Sequence, residues 1–171
     1  MSAAGLPSLR LQVQRRGTLA PSRVRLRVAA VALPPNYGWV MTSVAFTAAV
    51  VQWQAARVMK ARKECGVAYP TLYAPGTDEL ATRFNCTQRA HQNSIEMLPQ
   101  QLAMQMLVGL VYPRAAAAQG LVWAIGRILY TRGYSTGDPA QRAPGGSLAW
   151  MSYLCLMVAT AVVGIRMVLG M

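Results

Sequence analysis

The chain has 171 residues and a mass of 18.5 kDa, the size of one domain. Hydrophobic residues make up 54% and charged residues 13%, with 17 Lys+Arg against 5 Asp+Glu and a net charge of +12; an ordinary soluble domain carries about 25% charged residues. This excludes a disordered chain and argues against carboxylate or multi-histidine metal sites; with basic residues set between apolar blocks, it points to an integral membrane protein and away from a nucleic-acid binder.

Residues 1–35 form a basic N-terminal extension. Arg10, Arg15, Arg16, Arg23, Arg25 and Arg27 occur with no acid, among Ser, Ala, Gly and Pro. That composition suits a transit peptide for an organelle better than a secretory signal, which needs an apolar core. A basic tail is the plainer alternative. Pro34-Pro35 marks the boundary with a domain over residues 36–171.

Tyr37 to Ala56 carries no charge and predicts the first membrane helix, about 30 Å long, with Tyr37, Trp39 and Trp53 at its ends. Gln52 and Gln54 are read as lying near its end. A loop follows, with Arg57, Lys60, Arg62 and Lys63 at its start. The second helix is expected from about Cys86 to Tyr112, bent at Pro99, which cannot donate to the Ile95 carbonyl. The third runs from about Ala115 to Tyr134 and the fourth from about Ser147 to Leu169. The expected fold is therefore all-α, an integral membrane four-helix bundle; a soluble bundle is the alternative. Lys and Arg gather in the first and third loops, which places those loops on the cytosolic side or its equivalent. Cys65, Cys86 and Cys155 are scattered and form no CxxC pair, so neither a disulfide framework nor a zinc site is expected.

Polar side chains in membrane helices are costly and so are functional candidates. Arg89, Asn93 and Glu96 recur at i, i+4 and i+7 on one helix face. Such a stripe either clamps a zwitterion, with Arg on a carboxylate and Glu on an ammonium, or forms a structural network between helices. Arg127, Tyr130 and Tyr134 share a face of the third helix. Arg127 either faces the bundle or snorkels, and Tyr134 equally suits an interfacial belt. With no second His, His91 is read as packed or interfacial, and no metal ligand is assigned.

The run Phe84-Asn85-Cys86-Thr87-Gln88-Arg89-Ala90-His91-Gln92-Asn93-Ser94-Ile95-Glu96-Met97-Leu98-Pro99 resembles the second-helix signature of the MAPEG family, membrane-associated proteins of eicosanoid and glutathione metabolism. The similarity continues through Lys60–Lys63, Val67–Pro70, Gly126–Tyr134 and Thr136–Pro139, and spans roughly residues 36 to 170. The N-terminal extension has no counterpart in the family pattern.

The resemblance implies a homotrimer in which glutathione, as co-substrate and with no metal, sits between subunits near the cytosolic face. It implies that Arg62, Arg89, His91, Asn93, Glu96, Tyr130 and Tyr134 bind glutathione. It further implies that Arg142 stabilises the thiolate, with Gln141 competing for that register because the loop differs by one residue. Lys63 and Met97 stand where one branch of the family carries Arg and Tyr. The implied activity is glutathione transfer to a lipophilic electrophile or reduction of a lipid hydroperoxide, with leukotriene-C4-synthase-like chemistry as a related activity. A non-catalytic lipid-binding scaffold of the same fold and an accessory subunit of an organellar complex are the alternatives. The family suggests the endoplasmic reticulum membrane, whereas the extension suggests a mitochondrion or plastid.

Overall fold

The computed structural model describes residues 33–171; the basic extension and its targeting role lie almost entirely outside them. The described residues form four helices and no strand: α1 Tyr37–Glu64, α2 Glu79–Gly109, α3 Pro113–Tyr134 and α4 Ala143–Val168, with a 3-10 turn at Pro139–Arg142 before α4. Even α3, the shortest helix at 22 residues, reaches roughly 33 Å at 1.5 Å per residue, enough to cross a hydrocarbon core.

The helix ends follow local chemistry and correct several expected boundaries. α1 continues two turns beyond Ala56, so Arg57, Lys60, Arg62 and Lys63 are helical and no loop begins there. Lys60 and Glu64 are one turn apart and pair at 3.7 Å, and Arg62 and Lys63 complement the helix C-terminus. α2 starts seven residues before Cys86: Asp78 is extended, and its carboxylate accepts from the Ala81 N–H at 2.9 Å. Glu79 adds a favourable first-turn charge. α2 passes through Pro99 as one continuous helix. Pro113 opens α3, where its missing N–H leaves no bond unmade.

α3 packs against each of the other three helices. Its core side chains Trp123 and Ala124 are fully buried, and α3 meets α4 through small residues. A Cβ on Gly126 would stand 2.7 Å from the Ala149 nitrogen, and one on Gly145 would stand 2.0 Å from the Tyr130 nitrogen. The two backbones therefore approach more closely than any larger residue allows, as in membrane helix pairs.

A chain of polar side chains ties all four helices together, toward the end where α1 and α3 begin. Gln105 Nε2 donates to Ser43 Oγ at 2.6 Å, Gln101 Nε2 to Gln119 Oε1 at 2.9 Å, and Gln119 Nε2 to Ser152 Oγ at 3.1 Å. Gly120 leaves the space that Gln105 fills; a Cβ there would lie 2.2 Å from Gln105 Nε2. Outside, large apolar side chains such as Trp39, Phe46, Leu121, Ile125, Trp150 and Val158 are exposed. Among the described residues, only the segment Pro139–Val168 is by composition alone apolar enough to cross a membrane. The other three helices bury polar residues such as Gln54, Gln101, Gln105 and Arg127 against one another and carry charged residues toward one end, both of which lower their average hydropathy.

The Gly145 contact is with backbone and cannot be relieved by a rotamer change. Gly145→Ala should cost about 1–3 kcal/mol and lower the thermal melting midpoint of the detergent-purified protein. Gly164→Ala, where nothing lies within 4 Å of the added Cβ, should leave the midpoint unchanged or slightly higher. Equal melting of both variants would show that the close α3–α4 approach is not required.

Candidate functional site

One end of the bundle gathers the C-termini of α1 and α3 and the N-termini of α2 and α4. The cations Arg57, Lys60, Arg62, Lys63, Arg83, Arg89, Arg132 and Arg142 belong to this end. Arg114 and Arg166 belong to the other, where they hydrogen-bond Asn36 and Tyr112.

The site rests on a buried polar node below this end. Arg127 is 2% exposed and faces the bundle, which decides between the two sequence readings. Its Nε donates to Ser94 Oγ at 2.9 Å and its Nη2 to the Ala90 carbonyl at 3.3 Å. Among the described residues no carboxylate lies within ion-pair distance of it. Its guanidinium instead lies 4.3 Å from the Tyr130 ring centre and 5.8 Å from that of Trp123. Gln54 completes the node by donating to Ser94 Oγ at 2.8 Å and to Thr131 Oγ1 at 2.6 Å. Both hydroxyls pass their own protons to backbone carbonyls, Ser94 to Ala90 and Thr131 to Arg127.

Sequence reasoning missed this role for Gln54, Ser94 and Thr131. Gln54 is fully buried and lies ten residues before the end of α1, not near it. The available signal was a polar residue on the apolar face of a helix. It was obscured because the helix was expected to stop at Ala56.

Above the node, Tyr130 and Tyr134 lie one turn apart with rings edge to face, 5.5 Å between centres. Arg142 Nη1 donates to the Tyr134 hydroxyl at 3.1 Å, with its guanidinium 5.0 Å from the ring centre. Arg127 thus lies against the Tyr130 ring and Arg142 against the Tyr134 ring and hydroxyl, so two guanidiniums flank the tyrosine pair. Gln141 is turned the other way and donates to Asp138 Oδ2 at 3.3 Å. It is therefore Arg142, and not Gln141, that the turn presents to the tyrosines.

On α2, Arg89 Nη1 pairs with Glu96 Oε1 at 2.8 Å, and both side chains are more than a third exposed. Asn93 lies between them and makes no hydrogen bond among the described residues. Tyr73 donates to Gln92 Oε1, which brings the α1–α2 loop over the same helix face. His91 is half-buried and its Nδ1 has no partner.

Arg62 has a different setting. It is 9% exposed, donates to the Thr71 carbonyl at 2.7 Å, and has the Tyr69 and Phe84 rings 4.5 and 4.9 Å away. Within the subunit it therefore fastens the α1–α2 loop. Among the described residues no three His, Cys, Asp or Glu side chains gather into a metal-binding group.

The arrangement can hold a ligand with carboxylates at the arginines, an ammonium at Glu96 and an anionic centre at Arg142. The family model described as the MAPEG family matches residues 40–162, from the first turn of α1 into the last two turns of α4. The chain belongs to the MAPEG family, whose members are membrane helical bundles and include glutathione transferases and related enzymes.

The position of Arg142 depends on the turn that carries it. Asp138 Oδ1 accepts from the Ala140 N–H at 2.9 Å while Oδ2 holds Gln141. Asp138→Ala should speed hydrogen exchange at Ala140 and Gln141 by about fivefold, the equivalent of losing a cap of about 1 kcal/mol. Exchange in the α2 and α3 cores should not change; unaltered exchange at the turn would show that Asp138 does not hold it.

Proposed function

We propose that this MAPEG-family chain is a membrane glutathione S-transferase that also reduces lipid hydroperoxides with glutathione, most like microsomal glutathione S-transferase 3. The observation that carries the reading is that Arg127 and Arg142 flank the Tyr130–Tyr134 pair on α3 while α2 presents the exposed Arg89–Glu96 ion pair. Glutathione has two carboxylates, one ammonium and one thiol. The exposed Arg89–Glu96 pair exchanges partners when a zwitterion arrives: Arg89 takes a carboxylate and Glu96 the ammonium. Asn93, with its amide free, adds a donor and an acceptor, and Tyr130 and Tyr134 supply hydroxyls.

Arg142 is assigned the thiolate. A free thiol titrates at about pH 8.5, and a guanidinium nearby favours the charged form. The thiol proton leaves to solvent, so no general base is required at the site. The thiolate then attacks the electrophilic carbon of a lipophilic substrate from the bilayer; the C–S bond forms as an epoxide C–O bond or an activated C=C bond opens, and the oxyanion or carbanion left takes a proton from solvent. With a hydroperoxide it attacks the distal oxygen instead; the alcohol leaves, and a second glutathione thiol returns the product as disulfide and water.

The remaining family features belong to the same proposal. The active unit is a homotrimer, with Arg62 and His91 facing glutathione across the subunit boundary. Met97 and Lys63 favour the transferase branch over a dedicated leukotriene synthase. The membrane is that of the endoplasmic reticulum, unless the basic extension is cleaved on import into another organelle. In that case the mature N-terminus would lie near Val31 to Tyr37.

Ultraviolet absorbance of the glutathione thiolate on the purified trimer tests the reading. A thiolate should form near pH 7 in the wild type and in Gln141→Ala. In Arg142→Ala it should be lost, with glutathione still bound and turnover reduced about a hundredfold. Glutathione binding without a thiolate in the wild type would favour a scaffold, and absence of glutathione binding would overturn the enzyme reading.

A further inference from the structure

A second face at the cation-rich end is left unused by the glutathione reading. Phe46, Ala49, Trp53 and Arg57 recur at i, i+3, i+7 and i+11 on one side of α1. With Ile128 and Arg132 of α3 they wall an open groove of about 470 Å³. The groove is apolar along its length and basic at one end. The Arg57 guanidinium lies 5.2 Å from the Trp53 ring centre, and Arg132 is exposed. Neither arginine has a carboxylate partner among the described residues.

Arg57 also lines a second, smaller cavity of about 90 Å³, together with Lys60, Glu64, Arg83, Thr87 and Ser135. Its only carboxylate, Glu64, is shared between Lys60 at 3.7 Å and Arg83 at 3.9 Å. Ser135 is 6% exposed, and its Oγ has no hydrogen-bond partner; Arg57 Nε is likewise buried and unpartnered. Unmade hydrogen bonds of buried donors are costly. Two such groups in a cationic cavity match the oxygens of an anion.

We propose that groove and cavity together form a site for an anionic glycerophospholipid. Its acyl chain lies along Phe46, Ala49, Trp53 and Ile128. Its phosphate sits among Arg57, Arg132 and Ser135, at the end assigned to the cytosolic leaflet, where anionic lipids concentrate. Arg57 belongs to both walls, so one amphiphile satisfies both.

A second copy of this chain is a poor occupant. The chain has only five carboxylates, Glu64, Asp78, Glu79, Glu96 and Asp138. Four of them are already paired with a cation or capping a turn within the subunit. A zwitterionic choline lipid would set its ammonium against the same cations.

The test is native mass spectrometry of the full chain recovered from vesicles of equal phosphatidylglycerol and phosphatidylcholine. The wild type should retain phosphatidylglycerol preferentially. Arg57→Gln and Arg132→Gln should each lower that preference about fivefold, Arg57→Lys should keep it, and Ala49→Trp should block retention by filling the groove. Glutathione binding and the melting midpoint should persist in all four, which separates this site from the glutathione site and from misfolding. Equal retention of both lipids, or an unchanged preference in the Arg57→Gln/Arg132→Gln variant, would overturn the proposal. So would displacement of the lipid by inorganic phosphate alone, or dissociation of the oligomer by Ala49→Trp with lipid retention intact.

Discussion

A guanidinium buried in a bundle of apolar helices with no carboxylate beside it is the constraint on which the rest of this structure depends. Arg127 must find acceptors inside the protein, because lipid offers none. It finds the Ser94 hydroxyl, the Ala90 carbonyl and two aromatic faces. Ser94 can accept from Arg127 and from Gln54 only because it sends its own proton back to Ala90. The node therefore fixes the rotation of α1, α2 and α3 about their axes. Interhelical hydrogen bonds in membranes contribute only about 0.6 kcal/mol each on average, so the node adds more to register than to stability.

The same node orients the site above it. Arg127 lies against one ring of the tyrosine pair, and Arg142 against the other. Tyr130 is also the residue whose backbone meets Gly145 of α4. Glycines at the α3–α4 contact thus bring the turn before α4 close enough for Arg142 to reach Tyr134. Packing at Gly126 and Gly145, capping at Asp138 and hydrogen bonding at Ser94 all bear on where one guanidinium lies.

Charge is distributed with similar economy. Four of the five carboxylates belong to the cation-rich end, and Glu96 lies about half-way along α2; most serve as caps or as partners for Lys and Arg. Most of the cations there remain free of protein carboxylates. Such an end is the common basis of both proposals: a water-soluble thiol peptide at the α2–α3 face, and a lipid phosphate at the α1–α3 face.

The amino-acid sequence determined the class of structure, because long uncharged runs separated by basic and Pro/Gly-containing segments admit few other folds. It also determined the α2 stripe, since i, i+4 and i+7 spacing puts Arg89, Asn93 and Glu96 on one face whatever surrounds them. Helix ends were less legible. Loss of apolar character at Arg57 and before Cys86 looked like loop, although charged side chains at a membrane surface remain helical when caps and ion pairs support them. Only the tertiary structure decided that Gln54 is central, that Arg127 faces inward, and that Gln141 turns to Asp138 while Arg142 turns to Tyr134. Each of those outcomes depends on a partner from another helix or across a turn, and one strand of sequence carries no record of which distant hydroxyl, carbonyl or ring will be there to meet it.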